Sequence, residues 1–200
     1  MMGIGGTCSP VFCKENPRDD QKSRWRASDR GPCVSYIMVD IEADGPAPGD
    51  YSMVCFGAVV VEPSLSKTFY GKLRPVSEKW VPEALRVSGF SREETLEFDR
   101  PKAVMEKFDV WILKCSKDRP IFVSDNNGFD WQFINWYFHH FLGRNPFGFS
   151  SMNLGSFYKG LVRDSFKNFK HLRKTKHTHH RSMTRRETPR HCLRWTGTFL

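Results

Sequence analysis

The chain lacks three features that would each have pointed to a particular class of protein. No stretch approaches the roughly 18 apolar residues of a membrane-spanning helix, so we expect no membrane span. There is no CxxC pair, and only two of the six cysteines lie between residues 36 and 180, which excludes a disulfide framework. Charged residues and prolines interrupt residues 1–35, so these lack the apolar core of a secretory signal. Together the absences predict a protein of the reducing cytoplasm.

Acidic residues are also scarce, but only near the C-terminal end of the chain. Residues 37–158 carry 13 basic and 16 acidic side chains, a net charge of −3. Residues 159–180 carry seven basic and one acidic, a net of +6, and residues 181–200 carry five and one, a net of +4. A mildly acidic body followed by a basic strip suits a polyanionic partner such as nucleic acid.

Hydrophobic patterning predicts an unstructured leader, residues 1–35, followed by one α/β domain over residues 36–180. The predicted strands are Tyr36–Ile41, Met53–Val61, Thr68–Leu73, Ile121–Ser124 and an edge strand around Phe147–Met152. The predicted helices are Pro82–Arg86, Pro101–Leu113, Trp131–Leu142 and Asn153–Val162. Three strands followed by alternating helices and strands are typical of a mixed sheet flanked by helices.

Carboxylates follow two of these strands. Asp40 and Glu42 lie two residues apart at the end of the first strand, so both side chains project from the same face. Adjacent carboxylates are unfavourable unless a cation neutralises them, and oxygen ligands suit Mg²⁺ or Mn²⁺. Asp130, at the start of the aromatic helix, is a third candidate; the same position suits a helix cap, and Asp125 competes with it. A strand end that simply becomes polar remains the alternative.

Three sequence segments occur in an order that resembles a known family. VDIEADGP matches the family's first motif, NNGFDWQFI matches its second, and PEALRVSGFS lies between them, whereas the third motif is disrupted. They resemble the DEDDh class of 3′-to-5′ exonucleases, which includes polymerase proofreading subunits, RNase T and oligoribonuclease-type enzymes. The resemblance covers residues 36–180 and implies an RNase H-like fold with a mixed five-stranded sheet. The usual first motif is DxExTG, and Asp44 stands here in place of the common Thr.

The resemblance also implies a reaction. Two divalent ions, Mg²⁺ or Mn²⁺, would promote hydrolysis of phosphodiester bonds at the 3′ ends of single-stranded DNA or RNA. Asp40, Glu42 and Asp130 would be metal ligands, and Glu42 would also be catalytic. A histidine would act as the general base, as its near-neutral pKa allows. We assign His179, with His177 and His180 as alternatives. A homodimer is compatible with the resemblance, and DNA cannot be distinguished from RNA.

Nucleic-acid contacts are expected from the motif NNGFDWQFI and from the basic strip, residues 159–180. Lysine and arginine interleaved with Phe169 suit a phosphate backbone, although a solvated surface is the commoner role of such a strip. The spacing of the histidines in and after the strip fits no standard zinc site. The residues expected to contact nucleic acid are Asn127, Lys170, Arg173, Lys174 and Lys176.

The final metal-binding Asp of the family is absent. With His179 as the base, that ligand position is Thr184, and Glu187 is the only acid after Asp164. A family-like continuation, PVDDAKGNAEAL, can be back-translated so that deleting one C yields RSMTRRETPRHC, the sequence of Arg181–Cys192. We therefore interpret residues 181–200 as an aberrant basic tail, out of frame, with the final helix lost and activity impaired.

Two alternatives to an active exonuclease remain open. The chain could be a noncatalytic nucleic-acid-binding derivative of the same fold. It could also be a structural or interaction module in which the carboxylates only cap elements. Metal-dependent hydrolysis separates the first from an enzyme, and metal-induced stabilisation separates the second from a metal-binding protein.

Overall fold

The computed structural model describes residues 34–116 and 119–172, and its strands form one five-stranded sheet in the order β3-β2-β1-β4-β5. The strands are β1 (Ser35–Ala43), β2 (Met53–Val60), β3 (Thr68–Lys72), β4 (Pro120–Ser124) and β5 (Ser151–Asn153). The helices are α1 (Pro82–Ser88), α2 (Arg92–Leu96), α3 (Pro101–Cys115), α4 (Asn127–Leu142) and α5 (Leu154–Val162), with a 3-10 turn at Lys170–Leu172. The predicted α/β domain with a mixed sheet and flanking helices is confirmed.

Strand β1 lies at the centre of the sheet. It pairs antiparallel with β2 and parallel with β4, and β4 pairs parallel with β5. The apolar residues Ile37, Met38, Val39 and Ile41 of β1 are buried, as a strand covered on both faces requires, whereas Tyr36 is exposed. The carboxyl ends of β1, β4 and β5 therefore meet at one edge of the sheet, which we call the carboxylate edge.

Helices α3 and α4 pack against the sheet and against each other. The apolar stripe of α3 is buried at Val104, Met105, Phe108 and Ile112. The Phe108 ring lies 4.7 Å from Phe56 of β2 and 5.7 Å from Phe138 of α4. Such ring contacts add to the free energy of apolar burial. This core fixes α4 relative to β1, and so places the first turn of α4 at the carboxylate edge.

Three elements differ in detail from the predictions. Helix α4 begins at Asn127, four residues before the predicted Trp131, and Asn126 is its N-cap. Asp130 therefore lies within the first turn and does not cap the helix. Phe147 is a buried core residue, and β5 begins only at Ser151. Helix α2, closed by a capping box of Ser91 and Glu94, was not predicted as a separate element.

Helix α5 has an apolar stripe but no buried residue. Its apolar side chains recur with helical spacing, at Leu154, Phe157, Tyr158, Leu161 and Val162. Of the segment that follows, Phe169 is buried and lies 6.1 Å from the Tyr158 ring. Among the described residues no helix is long and apolar enough to cross a membrane. The predicted leader, the tail at residues 181–200 and the expected loss of a final helix lie outside the described residues.

Candidate active site

The three predicted carboxylates come together at the carboxylate edge. Asp40 and Glu42 lie on β1, opposite Gly57 and Cys55 of β2. The β1 ladder becomes irregular directly after Glu42, where a register shift occurs. Asp130 is buried in the first turn of α4, which follows β4, the parallel neighbour of β1. Two elements far apart in sequence thus deliver acidic groups to one place.

The electrostatics of Asp40 show that the carboxyl groups share one environment. Burial raises the pKa of Asp40 well above its usual value, and the charges of Asp130 and Glu42 raise it further. Cys55 and Asp125 make smaller contributions in the same direction. Asp125, the competing candidate, therefore borders the site, while Asp130 and Glu42 are its main charged neighbours.

Glu42 and Asp130 are perturbed in the same direction. Burial raises the pKa of Glu42 from 4.5 to about 7. Burial is also the main cause that raises the pKa of Asp130 from 3.8 to about 7, and the charges of Glu42 and Asp125 add to it. The neighbouring Ser124 side chain and Ile41 backbone oppose this shift. Without a cation, each of these two carboxyl groups is about half protonated near neutral pH.

A divalent cation fits this donor set. The Oδ2 atom of Asp130 is buried and has no hydrogen-bond partner among the described residues, and such an unpaired polar atom is costly. Within residues 34–116 and 119–172, no three His, Cys, Asp or Glu side chains are already grouped closely enough to hold an ion. The donors are nevertheless hard anionic oxygens, which Mg²⁺ and Mn²⁺ prefer, and a cation would relieve their mutual repulsion.

Asn127, in the motif NNGFDWQFI, connects the site to β5. Its Nδ2 donates to Ser151 Oγ at 2.8 Å, while its Oδ1 is buried without a partner in the described part of the chain. Asn153, at the end of β5, donates to the backbone oxygen of Asp125 at 2.9 Å. Both amides therefore hold the β4–α4 loop at the carboxylate edge.

The described part of the basic strip returns toward the start of α5. The ring of Phe169 approaches Gly155, and the ring of His171 lies 6.0 Å from that of Tyr158. Lys170 is exposed beside them. Because α5 begins directly after β5, this segment approaches the carboxylate edge. Outside the described residues lie the remaining predicted contacts and base candidates, namely Arg173, Lys174, Lys176, His177, His179 and His180.

Sequence reasoning missed an ion pair next to the carboxylates. Asp44, two residues beyond Glu42, is fully buried and accepts from Arg92 Nη1 at 2.9 Å. It also accepts from the Ser52 backbone N–H at 2.6 Å. Burial raises the pKa of Asp44, and the Ser52 hydrogen bonds and the Arg92 charge oppose that rise. The available signal was an Asp at a position where the family commonly has Thr.

Comparison with known proteins gives sequence relatives. A family model described as Exonuclease (RNase_T) matches residues 37–184. The 3′-5′ DNA exonuclease Cap18 of Escherichia coli is 42% identical over 137 residues, which cover 66% of this chain and 72% of Cap18. The region matched by the family model contains α4 and all three predicted carboxylates.

Solved structures give the same fold. The nuclease domain of 3′hExo, a DEDDh family member bound to rAMP, has a TM-score of 0.53 at 19% identity, covering 68% of this chain and 74% of that domain. A zinc-bound complex of E. coli exonuclease I with single-stranded DNA has a TM-score of 0.53 at 15% identity. The match covers 64% of this chain but spans only 30% of exonuclease I. The chain thus has the RNase H-like fold of these nucleases and belongs to the exonuclease (RNase_T) family.

Proposed function

We propose that the chain is a divalent-metal-dependent exonuclease that removes nucleotides from the 3′ ends of single-stranded nucleic acid. The observation that carries the proposal is the gathering of Asp40, Glu42 and Asp130 at the carboxylate edge, where burial and mutual repulsion raise their pKa values. Groups perturbed in this way mark functional sites. The name of the 42% identical relative, a DNA exonuclease, favours DNA as the substrate.

Each side chain has a distinct role in this proposal. Asp40, Glu42 and Asp130 would hold Mg²⁺ or Mn²⁺, which when bound stabilises the charge that develops on the phosphodiester and activates water. Asp130, held within a helical turn, presents its free Oδ2 to that site. Lys170 and the cations after it would contact the phosphate backbone, and His179 would accept a proton from the attacking water.

A labelled oligonucleotide tests the proposal directly. We expect the protein to shorten a 5′-labelled single strand one nucleotide at a time when Mg²⁺ or Mn²⁺ is present, and to stop when EDTA is added. Asp40→Asn keeps the size of the side chain and removes its charge, so it should abolish this activity. Asp50→Asn is the matched control, because Asp50 is exposed and forms a solvent-accessible ion pair with Lys79. Equal activity of Asp40→Asn and the parent chain would refute the assignment of the carboxylates.

We also propose that the activity of this chain is impaired by its tail. The position of the last family carboxylate is occupied by Thr184, and the sequence of Arg181–Cys192 is reproduced by a one-base deletion in a family-like continuation. Loss of one carboxylate ligand weakens a metal site, because fewer charges then offset the dehydration of the cation.

The reading frame can be tested on the encoding DNA. We expect an inserted base after the codon for His180 to restore a family-like C-terminal sequence and most of the activity. Thr184→Asp in the present frame should restore less, because it supplies only the carboxylate. An encoding DNA without any family-like continuation in the alternative frame would contradict the proposal.

A noncatalytic nucleic-acid-binding role is the second candidate. It is favoured by the lack, within the described residues, of a preformed group of three metal-binding side chains, and by the lack of an acid at residue 184. In that case the chain would bind oligonucleotides in EDTA, and neither Mn²⁺ nor the restored frame would produce hydrolysis.

A further inference from the structure

The carboxylate of Asp44, two residues beyond Glu42, is a buried charge. Asp44 has no exposed side-chain surface, and its carboxylate is held by the Ser52 N–H and by Arg92. Its backbone oxygen accepts from Val81 N–H at 2.7 Å. A buried carboxylate persists only if its charge is compensated, so the end of β1 depends on Arg92.

Arg92 connects three parts of the chain. Besides the ion pair with Asp44, its Nη2 donates to the Ser77 backbone oxygen at 2.7 Å. Its guanidinium also lies over the indole of Trp80, with Cζ 5.9 Å from the ring centroid. Only 12% of the Arg92 side chain is exposed, whereas Trp80 is 40% exposed. The planar guanidinium of Arg92 thus holds both the backbone at Ser77 and the indole ring of Trp80, three residues further along the same segment.

A second set of hydrogen bonds attaches this segment to the carboxylate edge. Ser52 Oγ accepts from the backbone N–H groups of Val76 at 3.0 Å and Ser77 at 3.3 Å. Ser52 itself pairs with Asp44 through both of their backbones and the Asp44 side chain. Residues 76–81 are therefore joined to the strand end that carries Asp40 and Glu42.

We propose that Arg92 is a positioning residue for substrate binding: through Asp44 it sets the exposed Trp80 indole beside the carboxylate edge, where the ring stacks on a base of the bound single strand. The inference rests on the proposed function and adds to it a specific contact. Aromatic side chains stack on bases of any sequence, and a guanidinium over the opposite face supports the ring. The ion pair also explains why an Asp stands at residue 44, where the family commonly has Thr. The guanidinium of Arg92 requires an anionic partner, and the side chain of Thr is uncharged.

Binding and stability, measured separately, test the proposal. Binding is followed by fluorescence anisotropy of a 5′-labelled single strand in EDTA, and stability by thermal unfolding. Trp80→Ala should weaken binding about tenfold, the size expected for one lost stacking contact, and should leave the unfolding temperature nearly unchanged. Arg92→Ala should lower both the affinity for the oligonucleotide and the unfolding temperature, because it also leaves the buried Asp44 without its ion-pair partner. Arg92→Lys should keep part of the stability and lose much of the binding, since lysine lacks the planar fork.

A double variant separates positioning from stability. Asp44→Thr combined with Arg92→Ala removes the uncompensated charge, so the unfolding temperature should recover relative to Arg92→Ala, while binding stays about tenfold weak. Lys79→Ala is the control, because the exposed Lys79–Asp50 ion pair joins the same two segments without contacting the indole. It should leave both measurements unchanged.

Two results would overturn the inference. One is full recovery of binding in the double variant, which would make Arg92 a stabilising residue only. The other is unchanged binding in Trp80→Ala. Failure of the proposed function would look different: the parent chain would bind the oligonucleotide and depend on Trp80, yet no metal ion would produce hydrolysis in any frame.

Discussion

Replacing Asp130 by Asn should stabilise the metal-free protein at alkaline pH and abolish the stabilising effect of metal. Burial is the main cause that raises the pKa of Asp130 to about 7, and the charges of Glu42 and Asp125 add to the rise. An ionised Asp130 is therefore unfavourable in the folded chain when no cation is present. Asn has the same shape and no charge, so Asp130→Asn removes this penalty together with the repulsion of its neighbours.

The sign and size of the effect follow from proton linkage. The pKa of Asp130 is higher in the folded chain, about 7, than its ordinary value of 3.8. Between these values the folded chain binds more protons than the unfolded chain, so the free energy of unfolding falls as pH rises. The full difference corresponds to about 4 kcal/mol. Because Asn also loses favourable contacts of the carboxylate, we expect about half, roughly 2 kcal/mol, or a rise in Tm of about 4–8 °C.

Thermal unfolding in EDTA measures this difference. The penalty is absent only below the ordinary pKa of 3.8 and grows until the pH reaches about 7, so the two chains should differ less in Tm at about pH 5 than at about pH 8. At about pH 8 the variant should be the more stable. Mg²⁺ or Mn²⁺ should then raise the Tm of the parent and have little effect on the variant. Asp50→Asn is the control for the general loss of a negative charge, since Asp50 is exposed.

The reasoning would be refuted if Asp130→Asn and the parent had equal Tm values at alkaline pH in EDTA. It would also be refuted if metal stabilised both chains equally, because Asp130 would then not be a ligand. Taking the difference between two chains at each pH cancels the contributions of titrating groups far from Asp130, and the remaining difference belongs to Asp130 and to Asp40, whose pKa Asp130 raises.

Three further predictions concern other parts of the molecule. Gly45→Ala should destabilise the β1–β2 loop by about 1–3 kcal/mol in urea unfolding, because an added Cβ would lie 2.1 Å from the Tyr51 ring; an unchanged midpoint would contradict the close approach. Phe108→Ala should cost about 3–5 kcal/mol in the same assay, since the ring is fully buried among other aromatics; a loss below about 1 kcal/mol would contradict this packing. Lys170→Ala should reduce the slope of the logarithm of the binding constant against the logarithm of the salt concentration by about 1, the value for one lost phosphate contact; an unchanged slope would mean that Lys170 does not contact the oligonucleotide.

The strands were predictable because their patterns leave few alternatives. The apolar run Ile37–Val39 is typical of a strand buried on both faces, and β1 buries these three residues. The start of α4 was not predictable, because Asn127 and Gly128 have low helix propensity and local sequence indicates a loop there. Packing of the aromatic residues that follow overrides this preference and extends the helix by one turn. As a result, Asp130 lies within the helix.

The parts of the site that depend on the two-residue period of a strand could be predicted from the sequence. The parts that depend on contacts between residues far apart in the chain could not. A period of two along β1 was enough to place Asp40 and Glu42 together. No local pattern links Asp44 to Arg92, which lies 48 residues away, or Arg92 to Trp80. Such contacts depend on how α2 and the segment before α1 pack on the sheet. They decide which side chains besides the carboxylates lie at the carboxylate edge.

The exposed stripe of α5 and the missing carboxylate have a common explanation. Helix α5 repeats apolar residues as a buried helix does, yet none of its own residues is buried among the described residues, although the segment around Phe169 packs on it. Residues 173–200 contain eight basic side chains and one acidic, and their sequence has no comparable apolar repeat. The continuation inferred from the other reading frame contains both acidic and apolar residues. One deleted base would therefore remove a ligand from the metal site and, in the same segment, the residues available to cover α5.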